Sequence, residues 1–222
     1  MKNNMTASSS NILVGAAALA IGSGTPTTSV DGIVAAIKTA ATTTPKNFQA
    51  WVQAQSGSTL GSTGVSFRDV GYTQEGVELN YQPDYGEVEV DQYLDAAKLF
   101  KQKVTVNVST TLAEATLENL MVVWDETSEK LGNPSGYKEL YLTPGSLGDS
   151  PVERVPAFAG QAPLVSGAAR QRLYVATRAV AMEASSHALR RNEATVFPVN
   201  FRLLPDGNSS YSAYGKVVDV ST

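Results

Sequence analysis

The chain reads as mainly β, an antiparallel β-sandwich with one packed α-helix. Three observations carry this. Apolar and polar residues alternate with period two in several runs, proline- and glycine-bearing breaks separate those runs, and only one stretch carries an unbroken apolar stripe at helical spacing. At 222 residues, 42% of them apolar, the chain is long enough to bury a real core, and it is read as one domain over residues 1–222.

In chain order, residues 12–21 form the longest apolar run, about half of what a bilayer span requires. Lys2 and Ala18-Leu19-Ala20 resemble parts of a signal peptide, but residues 6–11 are polar and the run is only mildly apolar. It reads as a first strand entered from an N-terminal arm, residues 1–10. Residues 22–64, rich in Ser, Thr, Gly and Pro, read as a long loop holding two short helices, 30–41 and 45–55. In the second, Phe48, Trp51 and Val52 make a small apolar face.

Val77, Leu79 and Tyr81 then alternate with Glu78, Asn80 and Gln82, and Val88 and Val90 with Glu87, Glu89 and Asp91. Pro83, Asp84 and Gly86 between them predict a hairpin turn. Val104, Val106 and Val108 predict a further strand. Thr111 with Glu114 has the spacing of a capping box, and Leu117, Leu120, Met121 and Trp124 follow at i, i+3, i+4 and i+7. This predicts a helix over 112–124 with those four side chains as its core face. Trp124→Ala is expected to cost about 3–5 kcal/mol. Residues 129–169, with Pro134, Pro144, Pro151, Pro156 and Pro163, read as a second long loop. Strands over 172–183, 195–204 and 211–220, with a turn at Pro205-Asp206-Gly207, complete the chain.

Chemistry is sparse. There is no cysteine, so disulfides, thiolate metal sites and a cysteine nucleophile are excluded. The only histidine, His187, follows Ser185-Ser186, but no nucleophile elbow is present and it reads as a loop residue. Glu75, Glu78, Asp84, Glu87, Glu89, Asp91 and Asp95 lie between Tyr72 and Ala97 with no Lys or Arg among them. Neither the paired carboxylates of a glycosidase nor a calcium loop has its required spacing there. Gly57-Ser58-Thr59-Leu60-Gly61 lacks the lysine of a phosphate-binding loop. No catalytic residue, cofactor or metal is assigned. With a net charge of −4 the chain is no general nucleic-acid binder. Residues 166–222 carry seven Lys and Arg against four Asp and Glu. That basic end, set against the acidic middle, suits copies that stack head to tail.

Several short motifs resemble one family. Gly71-Tyr72-Thr73-Gln74-Glu75-Gly76-Val77 looks like a G-x-T-x-(D/E)-G-V segment, and Glu87-Val88-Glu89-Val90-Asp91-Gln92 like an E-x-x-V-D-Q strand. Leu112-Ala113-Glu114-Ala115-Thr116-Leu117-Glu118-Asn119-Leu120 is similar to L-A-E-x-T-L-E-N-L, and residues 197–204 and 214–219 to a final hairpin. In this order and separation they resemble the tail tube (major tail) proteins of tailed bacteriophages, over about residues 64–126 and 194–220. The resemblance implies a structural virion protein rather than an enzyme. It implies a β-sandwich that joins neighbours into a homohexameric ring with an inner antiparallel β-barrel. Rings stack into the tail tube that conducts DNA to the host cell.

The tail expected is long and non-contractile, as in a siphovirus. The protein would be made in the host cytoplasm and located in the virion tail. Its partners would be copies of itself and other tail proteins (tape measure, terminator, distal tail). DNA would pass through without specific binding, and no membrane is involved. On this reading Glu87, Glu89 and Asp91 are candidates to face the lumen, where an acidic bore repels phosphates, and the 112–124 helix packs outside the barrel. Two alternatives stand beside it: a carbohydrate-binding or carboxylate-based hydrolase β-sandwich, and a capsid decoration protein.

Overall fold

The computed structural model describes residues 17–43, 48–88, 97–165, 168–182, 185–206 and 214–221. Its first strand, β1 (Ala18–Ser23), explains the layering. Ala18 and Ala20 enter one core while Leu19 and Ile21 enter another, because side chains alternate across a strand. A strand dry on both faces must lie between two layers. β1 sits inside a six-stranded antiparallel sheet with order β12 (Gly215–Ser221), β9 (Ala168–Ala176), β8 (Val155–Val165), β1, β3 (Ser66–Asp69), β2 (Ser56–Thr59).

Two helices, α1 (Val30–Thr43) and α2 (Phe48–Gln53), cover one face of this sheet. Ile33, Ile37, Trp51 and Val52 pack on Phe67, Ala157, Leu173 and Val175, and Trp51 meets Phe67 edge-on at 5.5 Å. Both short helices expected in residues 22–64 are present, and β2 lies there as well. They form a layer, where a loop was expected around them.

Against the other face packs a four-stranded antiparallel sheet with order β10 (Ala179–Ala181), β11 (Phe197–Leu203), β5 (Lys98–Leu112), β4 (Thr73–Val88). Val106, Val108, Val199 and Phe201 meet Leu19, Ile21 and Phe158. A third helix, α3 (Leu117–Val123), packs into this second core. Strands take 46% and helices 16%, so the mainly antiparallel β class holds. Among the described residues there are three α-helices, the two short ones expected within 22–64 and the one expected to pack on the sandwich, and no barrel closes.

Four expectations are corrected. Pro83, Asp84 and Gly86 do not turn the chain: β4 runs through them, and the hairpin partners are β4 and β5. Ala97 N–H donates to the Val88 carbonyl at 2.8 Å, so the reversal falls between these two residues. β4 ends its sheet, and an edge strand tolerates proline. Pro83 brings no N–H, and the carbonyl of its partner Val104 accepts from the Tyr214 hydroxyl at 3.1 Å.

The helix begins later than expected. Thr111 belongs to β5, paired with Gln74 and Pro198 on either side, and two ladders outweigh one cap. The N-cap is Thr116, whose hydroxyl accepts from Asn119 N–H at 3.2 Å.

Residues 129–169 contain β6 (Leu131–Gly132), β7 (Glu139–Leu140) and the central strand β8. Pro163 lies where the β8–β9 register shifts, between Ala162 and Val165. Pro156 lies two residues from Arg154, whose N–H donates to Ala179 at 2.8 Å. N–H groups of alternate residues point the same way, so Pro156 falls opposite the break between β9 and β10. That break, at Thr177 and Arg178, also divides the strand expected over 172–183.

Candidate functional site

The described edges of the four-stranded sheet differ sharply. At β10, Ala179 exchanges both backbone hydrogen bonds with Arg154 at 2.8 Å, which ties that edge to the chain entering β8. Along β11, the carbonyls of Pro198 and Asn200 accept from Ser185 Oγ (2.7 Å) and Met182 N–H (3.3 Å). Beyond β4 no described strand pairs. Among the described residues this edge, 16 residues long, is bare, and such an edge is a template for another chain.

The outer part of the β4–β5 hairpin leaves the body. In β5 buried residues alternate with half-buried ones from Val106 to Leu112, and Lys98 to Lys103 are all exposed. Tyr85, Val88, Leu99 and Phe100 are exposed too, on rungs beyond Val104 that no described layer covers, although the ladder continues there. Tyr81, also exposed, stands nearer the root, opposite the buried Val106. Such a two-stranded ribbon is marginal alone. Lys101 Nζ donates to the Tyr81 hydroxyl at 3.1 Å and sits 5.7 Å from its ring centroid. Asp84 stands opposite Lys103. Of the acidic residues expected at a lumen, Glu87 is exposed near the outer end of β4, opposite Leu99. Glu89 and Asp91 lie outside the described residues, as does the arm at residues 1–10.

The residues of the G-x-T and L-A-E-x-T-L-E-N-L motifs meet at the root of this hairpin. Asn119, fully buried, donates through Nδ2 to the carbonyls of Val70 and Glu114, both at 2.9 Å. The Glu114 carboxylate accepts from Tyr72 N–H at 3.2 Å, and Ala113 N–H donates to the Tyr72 carbonyl at 2.9 Å. Gly71, at φ +80, lies under that carboxylate, where a Cβ would stand 2.0 Å from its carbon. Asp69 caps Gly71 N–H at 3.1 Å, and burial pushes its carboxyl above the usual range. Arg68 reaches the Glu118 carbonyl at 3.1 Å. The motif therefore works as a joint that fixes where β4 departs.

Of the four helix residues expected as core, Leu120 and Met121 are buried while Leu117 and Trp124 are half-buried. Trp124 is the C-cap and faces His187 at 6.0 Å; His187 meets Phe197 edge-on at 4.9 Å. The imidazole is thus flanked by aromatic rings, and the Ser185 hydroxyl donates to a backbone carbonyl. Among the described residues no three His, Asp or Glu side chains converge as a metal site.

Two groups escaped notice in the sequence. Arg154 is 2% exposed, with one Nη donating to the carbonyls of Glu126 (2.6 Å) and Met121 (3.4 Å). Asp125, in the left-handed region at φ 57, accepts from Val152 N–H at 3.0 Å. Burial lowers the arginine's pKa and raises the aspartate's. Both lie among loop-like residues where no spacing signals a buried ion. The bare β4 edge was equally hidden, because alternation marks a strand and not its neighbours.

No family model and no curated protein matches the chain.

Proposed function

We propose that this chain is a structural subunit that assembles with copies of itself into rings stacked as a phage tail tube. The observation that carries the reading is the bare β4 edge on a hairpin that stands clear of the body with its apolar residues uncovered. A soluble protein shields such an edge unless pairing is its purpose. Seating the bare β4 edge of each copy against the occupied β10–β11 side of the next covers that edge, and repeating the contact around an axis makes a barrel. The two sides differ, so the contact is head to tail, the kind that gives a ring when its rotation closes. The role is that of a conduit for DNA in the virion tail, without catalysis and with other tail proteins at the tube ends. No described helix is long and apolar enough to cross a membrane.

Negative-stain micrographs and solution mass of the purified chain test this. Rings or tubes, or a hexameric mass, are expected. A monodisperse monomer that binds or cleaves glycans overturns the proposal in favour of the carbohydrate reading. Rings or trimers that never stack favour a capsid decoration role.

A further inference from the structure

We infer that the rows of β4, β5 and β11 from Glu78 to Asp84, turned toward the axis of this assembly, form an electrically balanced floor of amides and hydroxyls, with no net acidic charge among these described residues. The inference rests on the tube reading. The four-stranded sheet has one face in the sandwich core. The six-stranded sheet and two helices lie behind that face, too bulky to fit inside a closed barrel. The other face therefore turns inward.

Strand register fixes what that face carries. Successive cross-strand rows are Glu78–Ser109–Asn200, Asn80–Asn107–Arg202 and Gln82–Thr105. These positions alternate with the buried Val106, Val108, Val199 and Phe201. Glu78 and Arg202 lie in adjacent rows, and in the next row outward Asp84 faces Lys103. Each acid thus has a base within a row or two. Opposite charges this close cancel beyond about one Debye length, roughly 10 Å. Where the segment from Ser185 borders the floor, Arg190 and Glu193 are themselves paired at 2.8 Å. Glu75, in the bulge at the start of β4, adds an exposed acid at that border.

An unbalanced cationic face holds a polyanion, with affinity that grows with each phosphate neutralised. An acidic face resists its entry. A balanced amide and hydroxyl face does neither, and it keeps its own hydration while a duplex slides past. Glu87 stands farther out, beyond the register shift at Asp84/Tyr85. Its charge therefore belongs to the outer hairpin, away from these rows.

The chain has no cysteine, so Asn107→Cys introduces a single thiol at the middle of the floor. Assembled particles are treated with N-ethylmaleimide or with a polyethylene-glycol maleimide too bulky for the bore. The expected result is full reaction with the small reagent and protection from the bulky one, which still labels the monomer. Bulky labelling of the assembly puts the face outside, and failure of both reagents buries it between copies. Either result overturns the inference while leaving assembly intact. Ser109→Cys repeats the test if Asn107→Cys fails to fold or assemble. If the unmodified chain forms no rings or tubes, the tube reading itself falls and takes the inference with it.

Charge is read separately. Assembled Asn107→Lys is expected to retain a short DNA duplex at low salt about tenfold better than the unmodified assembly. Asn107→Asp is expected to exclude the duplex more strongly than the unmodified assembly does. Equal exclusion by the Asp variant and the unmodified chain marks a bore already acidic and overturns the inference, as does equal retention by the Lys variant.

Discussion

The six-stranded sheet and the β4–β5 hairpin are written in the same alternating code and end in opposite surroundings. β1 hides both faces between a helical layer and a second sheet, while the outer hairpin hides neither. Burial of side chains such as Phe67, Ile33 and Leu173, each worth roughly 1.5–3 kcal/mol, drives folding of the body. Exposed tyrosine, leucine and phenylalanine on the hairpin contribute little until another surface covers them. One region serves the monomer and the other waits for a partner.

Substitutions separate the two. Phe67→Ala, at a fully buried ring against Trp51, is expected to cost about 3–5 kcal/mol in urea or thermal unfolding. A loss below about 1 kcal/mol would show that the helical layer is not a true core. Asn119→Ala orphans the Val70 carbonyl at the hairpin root, while the Glu114 carbonyl keeps its bond from Thr116 N–H at 2.9 Å. It is expected to cost about 1–3 kcal/mol for the carbonyl left without a donor. Hydrogen exchange at Tyr72 and Ala113 should quicken, and unchanged rates would argue that the joint does not hold β4.

A pH series probes Asp125, half-buried below α3. Burial raises the Asp125 pKa in the fold above its unfolded value, so the ionised form opposes folding. That penalty is complete above the folded pKa and is relieved as pH falls through it toward the unfolded value. Asp125→Asn keeps an acceptor for Val152 and a residue tolerant of positive φ. Its melting temperature should exceed the parent's at neutral pH, and the gap should narrow on acidification. A gap that is constant or widens would mean Arg154 needs the carboxylate more than burial penalises it. Smallest in the monomer is Phe100→Ser at the exposed hairpin, expected to shift unfolding by no more than about 0.5 kcal/mol. The same change should sharply reduce ring or tube yield in micrographs; normal yield would leave the hairpin's apolar surface without a role.

The sequence made much of this visible, and its failures have physical causes. Alternation identified β5, β11 and the Val77–Gln82 part of β4 because their faces differ in polarity. It missed β8, where Pro156 and Pro163 suggested a loop. Those prolines occupy a strand break and a register shift, the places in a sheet that need no N–H. Thr111-to-Glu114 and Thr116-to-Asn119 have the same spacing. Only the ladders from β4 and β11, long-range partners absent from local pattern, decide between them. The helical stripe was legible at Leu120 and Met121. Trp124 was over-weighted, since nothing in the heptad shows that the helix stops at Val123. Of the candidate surface, the composition of the hairpin was readable but its bare edge was not.

The β4–β5 ladder shifts register twice. At Gln74/Val77 the extra residues, Glu75 and Gly76, belong to β4, while at Asp84/Tyr85 the extra residue, Gln102, belongs to β5. Only the first shift therefore inserts residues into the edge strand itself. A strand added to this edge would meet one stop, at the root of the hairpin, and slipping by one residue would turn its side chains to the wrong face. The bulge therefore acts as a phase mark: any copy that joins here is set at the same height and angle as the one before, so errors of alignment do not accumulate from copy to copy.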